Sequence, residues 1–220
     1  MPNFNANLVG CSVCHVKVLT YAAISFSQGN DGSWSSFNIS VGTPPQIVQV
    51  LAATQIPEIW VVLPAGCTDP SNCTDTRGGS FDKIKSSSWI SKATYALEAE
   101  TNLGYTTNND NGNYGFDNVG VGKPGAGNAS VDGQVVAGFL TDDFWLGNLG
   151  LASRPMIFGS DNDPQPSFLS LLQNRSLIPS LAYGFTAGAS YRKIRIHNLV
   201  SFSDLIPYSW SARELNSGRL

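Results

Sequence analysis

The chain has 220 residues, 42% hydrophobic and 13% charged, a balance that supports a folded core and argues against disorder. A formal net charge of -3, without a clustered stripe of lysine or arginine, leaves nothing to neutralise a phosphate backbone, so nucleic acid is not an expected partner. Twenty-two glycines and twelve prolines, with aromatic and β-branched residues spread between them, favour a mainly β fold over a helical bundle.

At the N-terminus, Cys11-Ser12-Val13-Cys14-His15 has the spacing of a c-type haem attachment site. It stands far from any helical, haem-enclosing pattern, and the same three side chains lack a second Cys/His cluster that would complete a zinc site. A chance pair of cysteines is the preferred reading, and no cofactor or metal is expected. Lys17 precedes the apolar run Val18 to Phe26, and Ser25-Phe26-Ser27 has the small-x-small form of a cleavage site, a faint secretory signal that the polar opening Pro2 to Asn7 weakens.

After the turn-rich Gly29-Asn30-Asp31-Gly32, the segment Phe37 to Val41 alternates apolar and polar residues as a half-buried strand does. Gly42-Thr43-Pro44-Pro45-Gln46 supplies a turn, and Ile47 to Ala53 returns as the second arm of a hairpin. Ile59 to Leu63 is a continuous apolar run of strand length ended by Pro64 and Gly66. Like the other apolar runs, it is too short to cross a bilayer as a helix. Thr94 to Tyr105, Tyr114 to Val121 and Ser130 to Phe139 are further strands separated by Asn/Gly/Pro clusters. Ser167, followed by Phe168, Leu169, Leu171 and Leu172, predicts a capped helix that closes before Pro179.

Cys67 and Cys73 are compatible with a disulfide, metal ligands or free thiols on spacing alone. Asn38, Asn72, Asn128 and Asn174 open glycosylation sequons, of which a chain this rich in Asn, Ser and Thr would show about three by chance. Asp142-Asp143 reads as a solvated turn, because neighbouring strand residues point to opposite faces and cannot form a dyad. Asp117, behind an aromatic residue in a strand, reads as a structural hydrogen-bond acceptor.

The order of these motifs is similar to that of pepsin-like aspartic peptidases. Val41-Gly42-Thr43-Pro44-Pro45-Gln46 resembles the turn before the first catalytic loop, and Ile59-Trp60-Val61-Val62 the strand after it. Cys67 to Cys73 falls at the family's small disulfide loop, Tyr114-Gly115-Phe116-Asp117 at its Gly-Tyr-Asp strand, Leu149-Gly150-Leu151 at its Leu-Gly-Leu segment. Pro166 to Leu169 and Leu177 to Leu181 resemble its helix and exit. Trp60 to Pro64, Arg77-Gly78-Gly79 and Tyr183 to Gly188 look closest to a fungal branch of secreted or surface-anchored members.

The resemblance implies residues 34–189 as one N-terminal lobe of a normally two-lobed acid protease fold, with one or two short helices, a bridge between Cys67 and Cys73, and location outside the cell or at its surface. Residues 1–33 are then an extension and 190–220 a divergent tail that takes the place of the second lobe and is expected to pack poorly. Tyr105 falls near the family's flap tyrosine, although an ordinary strand aromatic reads as well.

The chemistry of that family needs two carboxylates sharing one proton, each in an Asp-Thr/Ser-Gly loop. Counting from Gln46 and back from Trp60 places Ala53 at the aspartate and Gln55 at the glycine, with only Thr54 matching. Neither residue is a general base, and no Asp-Thr-Gly or Asp-Ser-Gly occurs in the 220 residues. The expectation is therefore a domain without catalytic residues: a pseudoenzyme that binds a peptide or protein ligand, or a fragment prone to self-association through an exposed lobe interface. The alternative is a structural, glycosylated surface protein with no peptide role.

Overall fold

The computed structural model describes residues 19–22, 25–29, 32–67, 72–97, 111–122, 124, 129–141, 143–157, 163–186 and 199–202. Its strands are β1 (Leu19–Ala22), β2 (Ser25–Gly29), β3 (Gly32–Val41), β4 (Gln46–Ala53), β5 (Ile59–Val62) and β6 (Ile90–Ala96). They continue with β7 (Asn111–Val121), β8 (Ser130–Phe139), β9 (Gly147–Gly150), β10 (Gly184–Thr186) and β11 (Leu199–Phe202). Among the described residues are also two α-helices, α1 (Cys73–Arg77) and α2 (Phe168–Asn174), and short 3-10 turns at Pro64–Gly66 and Lys83–Lys85.

Eight strands form one sheet in the order β2-β3-β4-β9-β5-β8-β7-β6, and β3 also pairs with β7, so the six strands from β3 to β7 in that order close into a barrel. Two of its pairings are parallel, β4 with β9 and β5 with β8. The fold is mainly β, as the composition and turn spacing predict.

Strand β5 explains its own sequence. Ile59 and Val61 point into the larger core with Ile39, Val50, Val136 and Leu149, whereas Trp60 and Val62 enter a second core with Tyr114, Val135 and Phe139. A strand buried on both faces needs apolar residues at every position, hence the unbroken run. Helix α2 closes the larger core with Phe168, Leu169 and Leu172, each contributing about 1.5–3 kcal/mol by burial. Ser167 caps it, its Oγ accepting from the Ser170 amide, as the sequence predicts.

The predicted turn at Gly42 to Gln46 is built residue by residue. Gly42 has φ +89°, and a side chain there would meet the Ser86 hydroxyl at 2.8 Å. The Thr43 amide donates to Ser86 Oγ, and Gln46 grips the backbone of Asp82 at both its amide and its carbonyl. These bonds tie the β3–β4 hairpin to the chain that follows α1.

Strand β2 forms a hairpin with the first half of β3, Gly32 to Ser36. The tail contributes β11, which pairs with both β1 and β10 in a second, three-stranded sheet. Four residues carry too little periodicity to announce a strand; backbone partners on both sides supply what the pattern lacks. Strand β6 overlaps the predicted Thr94 to Tyr105 over Thr94–Ala96, and residues 98–110, Tyr105 among them, lie outside the described residues.

Candidate functional site

The site that the sequence points to sits where β4 ends. Ala53 pairs in parallel register with Gly150 of β9, and its carbonyl accepts from the Leu151 amide at 2.8 Å. The chain bends through Thr54 and Gln55, both exposed, then buries Ile56, Pro57 and Glu58 before entering β5. The Ile56 carbonyl accepts from the Ala152 amide at 3.2 Å, so β9 and its exit hold the bend from both sides. The approach is close enough to require glycine at position 150, where a Cβ would lie 2.4 Å from the Glu58 carbonyl oxygen.

The Ala53 side chain is partly buried against the second core. That core is aromatic: Trp60 packs edge-on to Phe144 at 5.2 Å and to Phe139 at 6.4 Å, and Tyr95 packs edge-on to Tyr114 at 5.6 Å. At position 53 the chain presents a methyl group beside aromatic rings. Gln55 adds only an exposed amide, which neither ionises nor takes a proton from water at ordinary pH.

One acid near the bend was not singled out from the sequence. Glu58 is 8% exposed, and its Oε2 accepts from Trp60 Nε1 at 2.7 Å and from the Tyr114 hydroxyl at 3.0 Å. The signal was available: a lone carboxylate two residues before a tryptophan, on the same face of an extended segment. Its donors mark it as the polar anchor of the aromatic core rather than a base facing water.

The other sequence-selected residues are dispersed. Asp117 is buried in β7, where its Oδ1 accepts from the Ser88 hydroxyl and from the Asn118 amide, a structural role as expected. Asp143 is exposed and accepts from Thr141 Oγ1, as a solvated turn would; Asp142 is outside the described residues. Cys67 and Cys73 are joined in a disulfide. Cys11, Cys14 and His15 lie outside the described residues, and among those described no group of three metal-ligating side chains comes together.

Of the sequons, Asn72 and Asn174 are exposed, Asn128 lies outside the described residues, and Asn38 is only 7% exposed inside β3, out of reach of a glycan. A hollow of about 300 Å³ lined by Ser40, Thr43, Asn118, Ser130 and Asp132 opens near the start of β4, the opposite end from Ala53. Eight strand residues separate the two by about 25 Å, so the hollow is no part of the site at the bend.

A closed β-barrel with parallel β4–β9 and β5–β8 pairs, a Gly-Thr-Pro-x-Gln hairpin, and a bend between β4 and a Trp-Val strand define a lobe of the acid-protease class. The sequence profile described as "Asp: Eukaryotic aspartyl protease" matches residues 36–184, and the chain belongs to that family. No curated protein matches it.

Proposed function

We propose that this chain is a non-catalytic, pepsin-like domain that binds peptide at the bend between β4 and β5 without cutting it. The observation that carries the reading is Ala53 at the end of β4, with Gln55 in the exposed bend behind it. Water activation in this family uses a shared-proton pair of carboxylates, and a methyl group cannot supply one member. What the bend does offer is the half-buried Ala53, Tyr95 and Phe144 beside the exposed polar Thr54 and Gln55, an apolar patch with polar groups at its edge of the kind that retains a peptide.

Passage through an oxidising compartment, with release or display at the cell surface, is the accompanying proposal. The Cys67–Cys73 bridge and the exposed sequons at Asn72 and Asn174 support it. The phrases Trp60 to Pro64 and Arg77-Gly78-Gly79 support a place in the fungal branch.

The test has two arms. Purified protein incubated with denatured casein at acid pH should give no cleavage; cleavage abolished by pepstatin would overturn the reading. In the second arm, fluorescein-labelled octapeptides with apolar residues at alternate positions should show saturable anisotropy changes. Retention of none of them would favour the structural, glycosylated surface protein instead.

A further inference from the structure

Arg77 is buried, at 4% exposure, in the last turn of α1. Its guanidinium donates to the carbonyls of Gly66, Leu140, Thr141, Phe144 and Trp145, and it lies over the Phe139 ring at 5.4 Å. Four of those carbonyls belong to the loop that joins β8 to β9, and the fifth precedes Cys67. The helix that carries Arg77 begins at Cys73, the other half of the bridge.

The chain around the helix serves this placement. Gly78 caps α1 in the left-handed conformation, with φ +69°, and its carbonyl accepts from the Gln49 amide of β4 at 2.8 Å. Helix α1 is therefore pinned at one end by the bridge and at the other by the barrel. A five-residue helix has little stability of its own, so these ties hold the guanidinium where it is.

The β8–β9 loop matters because of what it carries. Phe144 packs on Trp60 in the aromatic core beside Ala53, while Leu140 and Trp145 are each 49% exposed. We infer that Arg77, anchored through the Cys67–Cys73 bridge, is a positioning residue that sets the 140–146 loop as a wall of the site at the bend. A planar fork of five N–H donors reaches carbonyls pointing in different directions, which an ammonium with three donors cannot match. The consequence for ligand binding rests on the peptide-binding reading above; the positioning itself does not.

The experiment compares the parent chain with Arg77→Met, Arg77→Lys and the double variant Cys67→Ala/Cys73→Ala. Acrylamide quenching of Trp145, assigned with Trp145→Phe, and amide exchange over residues 139–146 read the loop. Exchange over 113–117 and 134–138 reads the barrel. Arg77→Met should raise loop exchange by about tenfold or more and leave the barrel within about twofold, because four of the five carbonyls that lose a charged donor lie in that loop and none lies in a barrel strand. Arg77→Lys should recover part of the protection, and the double cysteine variant should loosen the loop less than Arg77→Met. Should Arg77→Met fail to fold, the double cysteine variant and the parent decide the matter: the variant should loosen the loop with the barrel unchanged and the parent's Arg77 Nε–H should exchange slowly, whereas an Nε–H exchanging as fast as that of a free guanidinium would overturn the inference. An unchanged loop, or a barrel loosened as much as the loop, would overturn the inference. Anisotropy with the same labelled octapeptides separates the two readings: a loosened loop on a chain whose parent binds no peptide keeps the positioning role and removes the binding reading.

Discussion

The two ends of β4 make an instructive pair. At its start, the Gly42-Thr43-Pro44-Pro45-Gln46 turn is tied down through three of its residues: the Gly42 amide donates to the Asn118 carbonyl, Asn118 Nδ2 donates to Thr43 Oγ1, Thr43 binds Ser86 and Ser87, and Gln46 grips Asp82. At its end, the bend after Ala53 keeps its backbone hydrogen bonds to β9 and its exit, while Ala53 and Gln55 bring no ionisable group to it. A turn that closes the barrel has many partners, and altering one of its residues strands the others. A small side chain at a strand end, such as Ala53, has few folding partners, and there the strand is held by its backbone pairing with β9.

The largest effect is expected from the buried acid at the far end. Glu58→Ala removes the acceptor of the Trp60 N–H and should cost about 3 kcal/mol in urea unfolding, whereas Glu58→Gln, which keeps an acceptor oxygen, should lose about half of that. Equal losses for both would show that the site end, unlike the turn, is held by packing alone. At the near end, Asp117→Ala deprives Ser88 and the Asn118 amide of their acceptor and should cost about 2 kcal/mol by the same measurement. A neutral result would mean that the turn does not depend on its side-chain network, and the contrast between the two ends would collapse.

A smaller change sharpens the contrast directly. Ala53→Asp with Gln55→Gly places a carboxylate at the margin of the aromatic core and should shift stability by about 1 kcal/mol, with the far-ultraviolet circular dichroism unchanged. In the 220-residue chain it should produce no acid-protease activity, since no second Asp-Thr/Ser-Gly loop is present in that sequence.

The smallest effect concerns the hollow at the near end. The Arg175 guanidinium hydrogen-bonded to Asp132, together with a backbone hydrogen bond, holds the Asp132 carboxyl below the usual carboxylate range. A lowered folded-state value means a contribution present above the ordinary Asp range and lost as pH falls through the folded value. The side chains are 48% and 65% exposed, so the pair is weak. The parent should melt slightly higher than Asp132→Asn at neutral pH and lose that advantage in strong acid. A difference that grew on acidification would reverse the sign and rule out the ion pair as its source.

Much of this molecule is written locally. Alternation placed β3, the apolar run β5, and Asn/Gly/Pro clusters bounded β7 and β8, while the prolines marked the hairpin. Ser167 announced α2, and the residue count from Gln46 to Trp60 led to Ala53, the last residue of β4. These signals act over a few residues, where backbone geometry and side-chain period are coupled. The tertiary structure decided the rest. The parallel pairing of β4 with β9 joins residues about a hundred positions apart, and the Arg77 guanidinium collects carbonyls more than sixty positions away. The burial of Glu58 against Tyr114 and of Asn38 inside β3, and the seat of β11 between β1 and β10, depend equally on distant partners. A polar side chain bears no mark of whether it will be buried; its partners are chosen by how the barrel closes, and only the closed barrel brings donor and acceptor together.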